Sequence, residues 1–205
     1  MPSPQFADLS KRITALRRSL LPSSFSPTGS YAPRLHERAK AFRLLAHAEF
    51  ESYLESIVLD LVQERVNAWI SSGKLSITLA ALLAYADSEP AKMTSLLTPP
   101  QKVSPALNDR IIAARNSFNS LVRTQNHGIR EMNVLKLVLP TGLDPASLDM
   151  TWLASLDSWA KDRGDIAHNT HTRVRALIDP GKELRDARMI LNGFKKLDGQ
   201  LKMIP

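Results

Sequence analysis

The stretch RLHERAKAFRLLAHAEFESYLESIVLDLVQERVNAWISSG, residues 34–73, decides the fold. It contains no proline, and no glycine before Gly73. Placed at 100° per residue, Leu44, Phe50, Leu54, Val58, Leu61 and Val62 fall on one stripe, which is how a helix presents an apolar face to a core. The pattern predicts a single long helix from about Arg34 to Ser72, closed at Gly73, where a glycine ends a helix at low steric cost. A helix of that length in a chain of 205 residues is the axis on which the others pack.

Two polar residues share that stripe. With His47 at 0°, Glu51 lies at about 40° and Leu54, Val58 and Leu61 lie between about 320° and 20°. A charge among apolar neighbours is costly unless it is paired. His47 and Glu51, four residues apart, therefore either satisfy each other in the core or line a cavity. Glu49, near 200°, faces away and reads as a solvated acid.

The rest of the chain is helical in pattern on both sides of this axis. From Gln5 to Leu21 the apolar residues Phe6, Leu9, Ile13, Leu16 and Leu20 recur every three or four positions. The segment PSSFSPTGSYAP, 22–33, then breaks the helix. Downstream, helices are predicted over 77–85, 106–125, 129–138, 148 to about 172, and 181–201. Between them lie SEPAKMTSLLTPPQKVSP (88–105) with four prolines, NHG (126–128) and PTGLDP (140–145). Trp152, Leu156 and Trp159 mark the face of the fourth of these, a spacing that suits packing or a subunit seam better than base stacking. No segment alternates as a strand does and no internal period repeats. The expected fold class is all-α: one helical bundle, with 1–33 as an N-terminal helix and loop and 34–205 as the main body of a single domain.

Composition excludes several functional classes. Hydrophobic residues make up 43% and charged residues 23% of the chain, the balance of a folded protein and not a disordered one. No apolar run approaches the ~20 residues of a membrane span, and the N-terminal stretch lacks a secretory core, so a cytoplasmic protein without membrane association is expected. The absence of cysteine removes disulfides and thiolate metal sites. The net charge is +7, and its excess lies at the two ends: eight Lys/Arg against two acids in residues 1–48, ten against six in 161–205. If the ends pack together they form a basic zone suited to nucleic acid, although general solubility explains charge alone equally well.

Phosphate-cradling glycine loops, a Gly-x-Ser-x-Gly elbow and a His-Glu-x-x-His helix are all missing from the sequence. His168 and His171 stand three apart but lack a clear third ligand, so no metal and no cofactor are expected. What remains is WAKDRGDIAHNTHT, 159–172, in which Arg163 and His168 flank Gly164 and Ala167. On a regular helix these two side chains start about 140° apart, so one chain does not bring them to one face unless the helix is distorted.

The run RGDIAH fits the Arg-x4-6-His motif of the HEPN superfamily. Together with HERAKAFRLLAHAEFESYLESIV (36–58) and NHGIREMNVLKLVLPTGL (126–143), followed by Trp152 and the motif, the chain resembles the RiboL-PSP-HEPN subgroup over roughly residues 34–200. The resemblance implies an all-α, metal-independent endoribonuclease that cuts RNA by attack of a 2′-hydroxyl. It implies a homodimer in which the motifs of two protomers meet, and a toxin or phage-defence role with an antitoxin or regulatory protein encoded nearby. It assigns catalysis to Arg163 and His168. These residue types suit the chemistry: a guanidinium offers a permanent charge and a planar fork to the phosphate oxygens, and an imidazole carries protons near neutral pH.

Further candidates surround the motif. Gly164, four before His168, leaves space beside the imidazole or simply marks a helix break; the family often has Asn there, a departure that bears on how Arg163 is held. Asp165, three before His168, fixes its tautomer or pairs with Lys161. His47, Glu51, Asn126 and His127 are candidates for supporting the site or touching RNA, although NHG is also an ordinary helix end and His127 an ordinary surface imidazole. The alternative from another class is a non-catalytic helical module of the same kind that binds RNA, nucleotide or a partner protein through the basic zone.

Overall fold

The computed structural model describes residues 2–86, 106–168 and 177–205, with side chains described up to Lys161 in the helix that ends at His168. Among the described residues there are seven α-helices and no strand. They are α1 (Pro4–Leu20), α2 (Pro33–Ser72), α3 (Ile77–Tyr85), α4 (Leu107–Ser120), α5 (Glu131–Val138), α6 (Met150–His168) and α7 (Pro180–Lys202). The chain is all-α, as its periodicity predicts. No single helix among the described residues is long and apolar enough to cross a membrane.

Helix α2 is the axis. Its 40 residues end at Gly73, whose φ of 67° is left-handed and whose amide donates to the carbonyl of Trp69 at 2.8 Å. Buried positions on α2 include Ala39, Phe42, Ala46, Phe50, Tyr53, Leu54, Val58, Val62 and Val66. These cover far more of the circumference than the predicted stripe, roughly 240° at 100° per residue. The reason is tertiary: α1, α3, α4, α5, α6 and α7 all pack against α2, and a helix surrounded on most sides carries apolar residues on most sides.

The two ends of the chain meet. Ser3 caps α1 by accepting the Phe6 amide at 2.9 Å, and its own amide donates to Asp198 of α7 at 2.8 Å. The Ser3 hydroxyl also donates to Asp198, and the Tyr53 hydroxyl adds a third bond to the same carboxylate at 3.1 Å. Burial, and then the Asp198 charge, push the Tyr53 phenol well above its usual range, so it stays a donor at any physiological pH. A fully buried carboxylate is tolerable here because three donors converge on it.

Helices α6 and α7 pack at close range. Trp152 lies where a Cβ on Gly193 would stand, 2.0 Å from its indole nitrogen. That nitrogen donates to the carbonyl of Ile190 at 3.2 Å. Glycine is required at 193 by this approach and not by backbone conformation. Phe194 fills the space behind, stacked on Phe50 at 5.3 Å and edge-on to Trp152 and Tyr53.

The structure departs from the sequence reading at three places. The helix predicted over 106–125 is α-helical only to Ser120, and Leu121–Gln125 widen into a π-helical turn closed by the Asn126 amide on the Leu121 carbonyl at 2.9 Å. Glu49 is not a lone solvated acid: Arg12 of α1 donates to it from Nε and Nη2, at 3.1 and 2.8 Å. Finally, α6 stays α-helical through Gly164 to His168, so the glycine does not break the helix. The proline-rich 88–105 segment and His171 lie outside the described residues.

Candidate functional site

Three stretches distant in sequence converge beside the middle of α2. The first is α2 itself, which carries His47, Glu51 and Glu55 at successive four-residue steps, one face of a helix. His47 is buried and its Nδ1 lies 3.6 Å from Glu51 Oε2. The spacing predicts that the two either satisfy each other or line a cavity; they lie within ion-pair distance in the core stripe, at a separation longer than a hydrogen bond.

The second is the loop that follows the π turn. Gly128 adopts φ of 100°, a conformation that strains any residue with a Cβ. This turn brings its amide onto Glu51 Oε1, the oxygen not facing His47. A Cβ at Gly128 would stand 3.8 Å from Cε1 of His47, so the loop backbone covers the imidazole. Asn126 is almost fully buried; its Oδ1 accepts from Nδ2 of Asn133 at 3.1 Å, and that amide also donates to the His127 carbonyl at 3.2 Å. The Nδ2 of Asn126 has no hydrogen-bond partner among the described residues. His127 is exposed, as an ordinary surface imidazole would be, and its main chain, not its ring, is held.

The third is α6. Trp159 is buried, and its ring lies nearly parallel to the His47 imidazole, centroids 6.0 Å apart. Trp152 and Trp159 are thus both packing residues, as their spacing suggests. The loop is tied to the same helix by Arg130, which donates from Nε and Nη2 to Asp157 at 3.0 and 3.2 Å, while the Glu131 amide donates to Asp157 at 3.1 Å. The Arg130 bonds hold the Asp157 carboxyl below its usual range.

Behind Trp159 lies a buried ion pair. Arg43 of α2 donates from Nε to Glu183 of α7 at 2.7 Å and from Nη2 to the other carboxylate oxygen. The Arg43 guanidinium also sits 5.9 Å from the centre of the Trp159 ring. Desolvation pushes Glu183 up from the usual carboxylate range and Arg43 opposes it.

Sequence reasoning missed Glu55 and the Arg43–Glu183 pair, and read Gly128 only as a turn residue, without its bond to Glu51. Glu55 is half-buried; burial first, and then the neighbouring Glu51 charge, raise its carboxyl above the usual range, against the pull of His127 and Arg123. Its place in the series 47, 51, 55 is the signal that would have found it.

Arg163 follows Trp159 by four residues, one turn of α6, and His168 is the last residue of that helix. The side chains of Arg163, Asp165 and His168 and the surroundings of Gly164 lie outside what the structure describes, as does any pairing of Asp165 with Lys161. Since α6 is α-helical throughout, one chain offers positions 163 and 168 about 140° apart around its axis. No protein-family model, no curated protein and no solved structure matches the chain.

Proposed function

We propose that this chain is a HEPN-type, metal-independent endoribonuclease that acts as a homodimer, with Arg163 and His168 as its catalytic residues. The observation that carries the proposal is a convergence. The block around His47 and Glu51, the block beginning at Asn126, and the helix bearing the motif are joined by the Glu51–Gly128 bond, the His47–Trp159 stack and the Arg130–Asp157 pair. Those are the three stretches on which the resemblance rests, and their junction ends one turn before Arg163.

In the proposed reaction the 2′-oxygen bonds to the adjacent phosphorus as its proton passes to a base, and the bond from phosphorus to the 5′-oxygen breaks as that oxygen is protonated. The products are a 2′,3′-cyclic phosphate and a 5′-hydroxyl. His168 is the proton carrier and Arg163 the partner of the charge that builds on the phosphate oxygens. The 140° separation along a regular helix favours a site completed by the second protomer about a two-fold axis. His47 and Glu51 are positioning residues in this reading, since they hold the helix–loop junction.

A second reading, a non-catalytic module that binds RNA or a partner, is favoured by how fully Glu51 is engaged in that structural role. Expression in a bacterium separates the two. Growth arrest with fragmented RNA, relieved by His168→Ala, supports a nuclease of toxin or defence type. Unimpeded growth with intact RNA supports the module.

A further inference from the structure

The packing of α6 against α7 leaves an open groove along their outer side. The pairing of Trp152 with Gly193 and Ile190, and the nearness of Trp159 to Lys182 and Asp186, show the helices running antiparallel. The groove has two lobes, of about 670 and 490 Å³, which share Thr151, Ser155 and Met189. One lobe ends at Ser158, Trp159 and Lys182, where α6 has one turn left before Arg163.

Charge along the groove is one-sided. Its two acids are already engaged, Asp186 by Lys182 at 3.0 Å and Asp149 by Lys196 at 3.1 Å. Arg185 and Arg188, one turn apart on the exposed face of α7, have no carboxylate within ion-pair distance among the described residues. The facing wall of α6 carries the hydroxyls of Thr151, Ser155 and Ser158, and exposed Met150 and Met189 add soft apolar surface.

We propose that this groove is a track for single-stranded RNA, with Arg185 and Arg188 on consecutive phosphates and the bases or riboses resting on Met150 and Met189. Two guanidiniums with no carboxylate partner among the described residues, beside the hydroxyls of Thr151 and Ser158, match a phosphodiester backbone, while Ser155 gives its hydroxyl hydrogen to the Thr151 carbonyl at 2.8 Å. A furrow between helices whose axes pack about 8–10 Å apart admits one strand and excludes a duplex. The track rests on the nuclease reading only for the fate of the RNA that reaches the motif end of α6; binding stands by itself. The acidic, methionine-seeking helix of a partner protein is the competing occupant.

The test is fluorescence anisotropy with a labelled single-stranded RNA dodecamer, full-length protein carrying His168→Ala, and EDTA, at about 50 and about 200 mM salt. Arg185→Gln with Arg188→Gln should weaken binding about tenfold and flatten the dependence of log K on log salt by about 1.4, at ~0.7 for each lost phosphate. Arg18→Gln with Lys74→Gln, equal in charge but exposed elsewhere, should change neither. An RNA duplex should bind more weakly than the single strand. The proposal is overturned if no RNA binds, if the two double variants behave alike, or if only a labelled Glu/Leu-rich helical peptide binds in an Arg185- and Arg188-dependent way. Its failure is separable from that of the nuclease: RNA bound through the groove by the wild type yet left intact sinks only the nuclease, and cleavage indifferent to Arg185 and Arg188 sinks only the track.

Discussion

The carboxylate of Glu51 accepts the amide hydrogen of Gly128, 77 residues further along the chain. One oxygen of that carboxylate faces the imidazole of His47 and the other fixes a loop that only a left-handed residue can form. Removing the acceptor by Glu51→Ala should cost about 2 kcal/mol, toward the low end of the range for a charged hydrogen bond because Glu51 is partly solvated. Gly128→Ala should cost about 1–2 kcal/mol from backbone strain. Because both changes release the same loop, urea unfolding of the double variant should show less than the sum of the two.

The Arg43–Glu183 pair should show the asymmetry of buried charges. Glu183→Gln takes from the buried Arg43 guanidinium the carboxylate that accepts from its Nε and Nη2 and should destabilise by up to about 3–5 kcal/mol. Arg43→Met combined with Glu183→Leu should recover most of that loss. Chemical denaturation of the three proteins checks the order; equal losses in the single and double variants would contradict it.

Gly193 is set by the indole it touches. Alanine there gains about 1 kcal/mol of helix propensity but must displace Trp152, and overpacking of this kind costs about 1–3 kcal/mol. Gly193→Ala should therefore lower stability and shift the tryptophan near-UV signal, while Trp152→Phe in the same chain should restore much of the loss. A stabilised Gly193→Ala variant would refute the contact.

Two carboxylates should respond to pH with opposite sign. Glu55 titrates above its unfolded value, so its ionisation disfavours the fold, a penalty absent below the unfolded pKa and present above the folded one. Glu55→Gln should raise Tm by about 1 °C near pH 7 and by nothing near pH 4. Asp157 titrates below its unfolded value because of Arg130, so Asp157→Asn should lower Tm near neutrality and lose that effect as pH falls through the folded pKa. Melting curves across that range decide both.

Local patterns carried the fold, and longer-range ones did not. The run from Arg34 to Gly73 announced α2 and its end, and the boundaries at Ile77 and Tyr85 could be read from apolar content and the flanking loops. The His47–Glu51 pair was legible because a four-residue step on an apolar stripe is a statement about one helix. Glu49 was misread because its partner, Arg12, belongs to another helix, and Arg43 and Glu183, 140 residues apart, share no periodicity. The π turn before Asn126 was invisible for a related reason: Leu121–Gln125 have helical composition, and the widened turn is set by the loop that Glu51 and Asn133 hold.

We propose that Arg163 and His168 cleave RNA without a metal. The most direct measurement is incubation of the full-length protein with RNA in EDTA, followed by analysis of the fragment ends. The fragments should carry 2′,3′-cyclic phosphate and 5′-hydroxyl ends, with the rate falling at least ~10²-fold in both Arg163→Ala and His168→Ala. RNA that stays intact with the wild type, or cleavage that both variants retain, would contradict it.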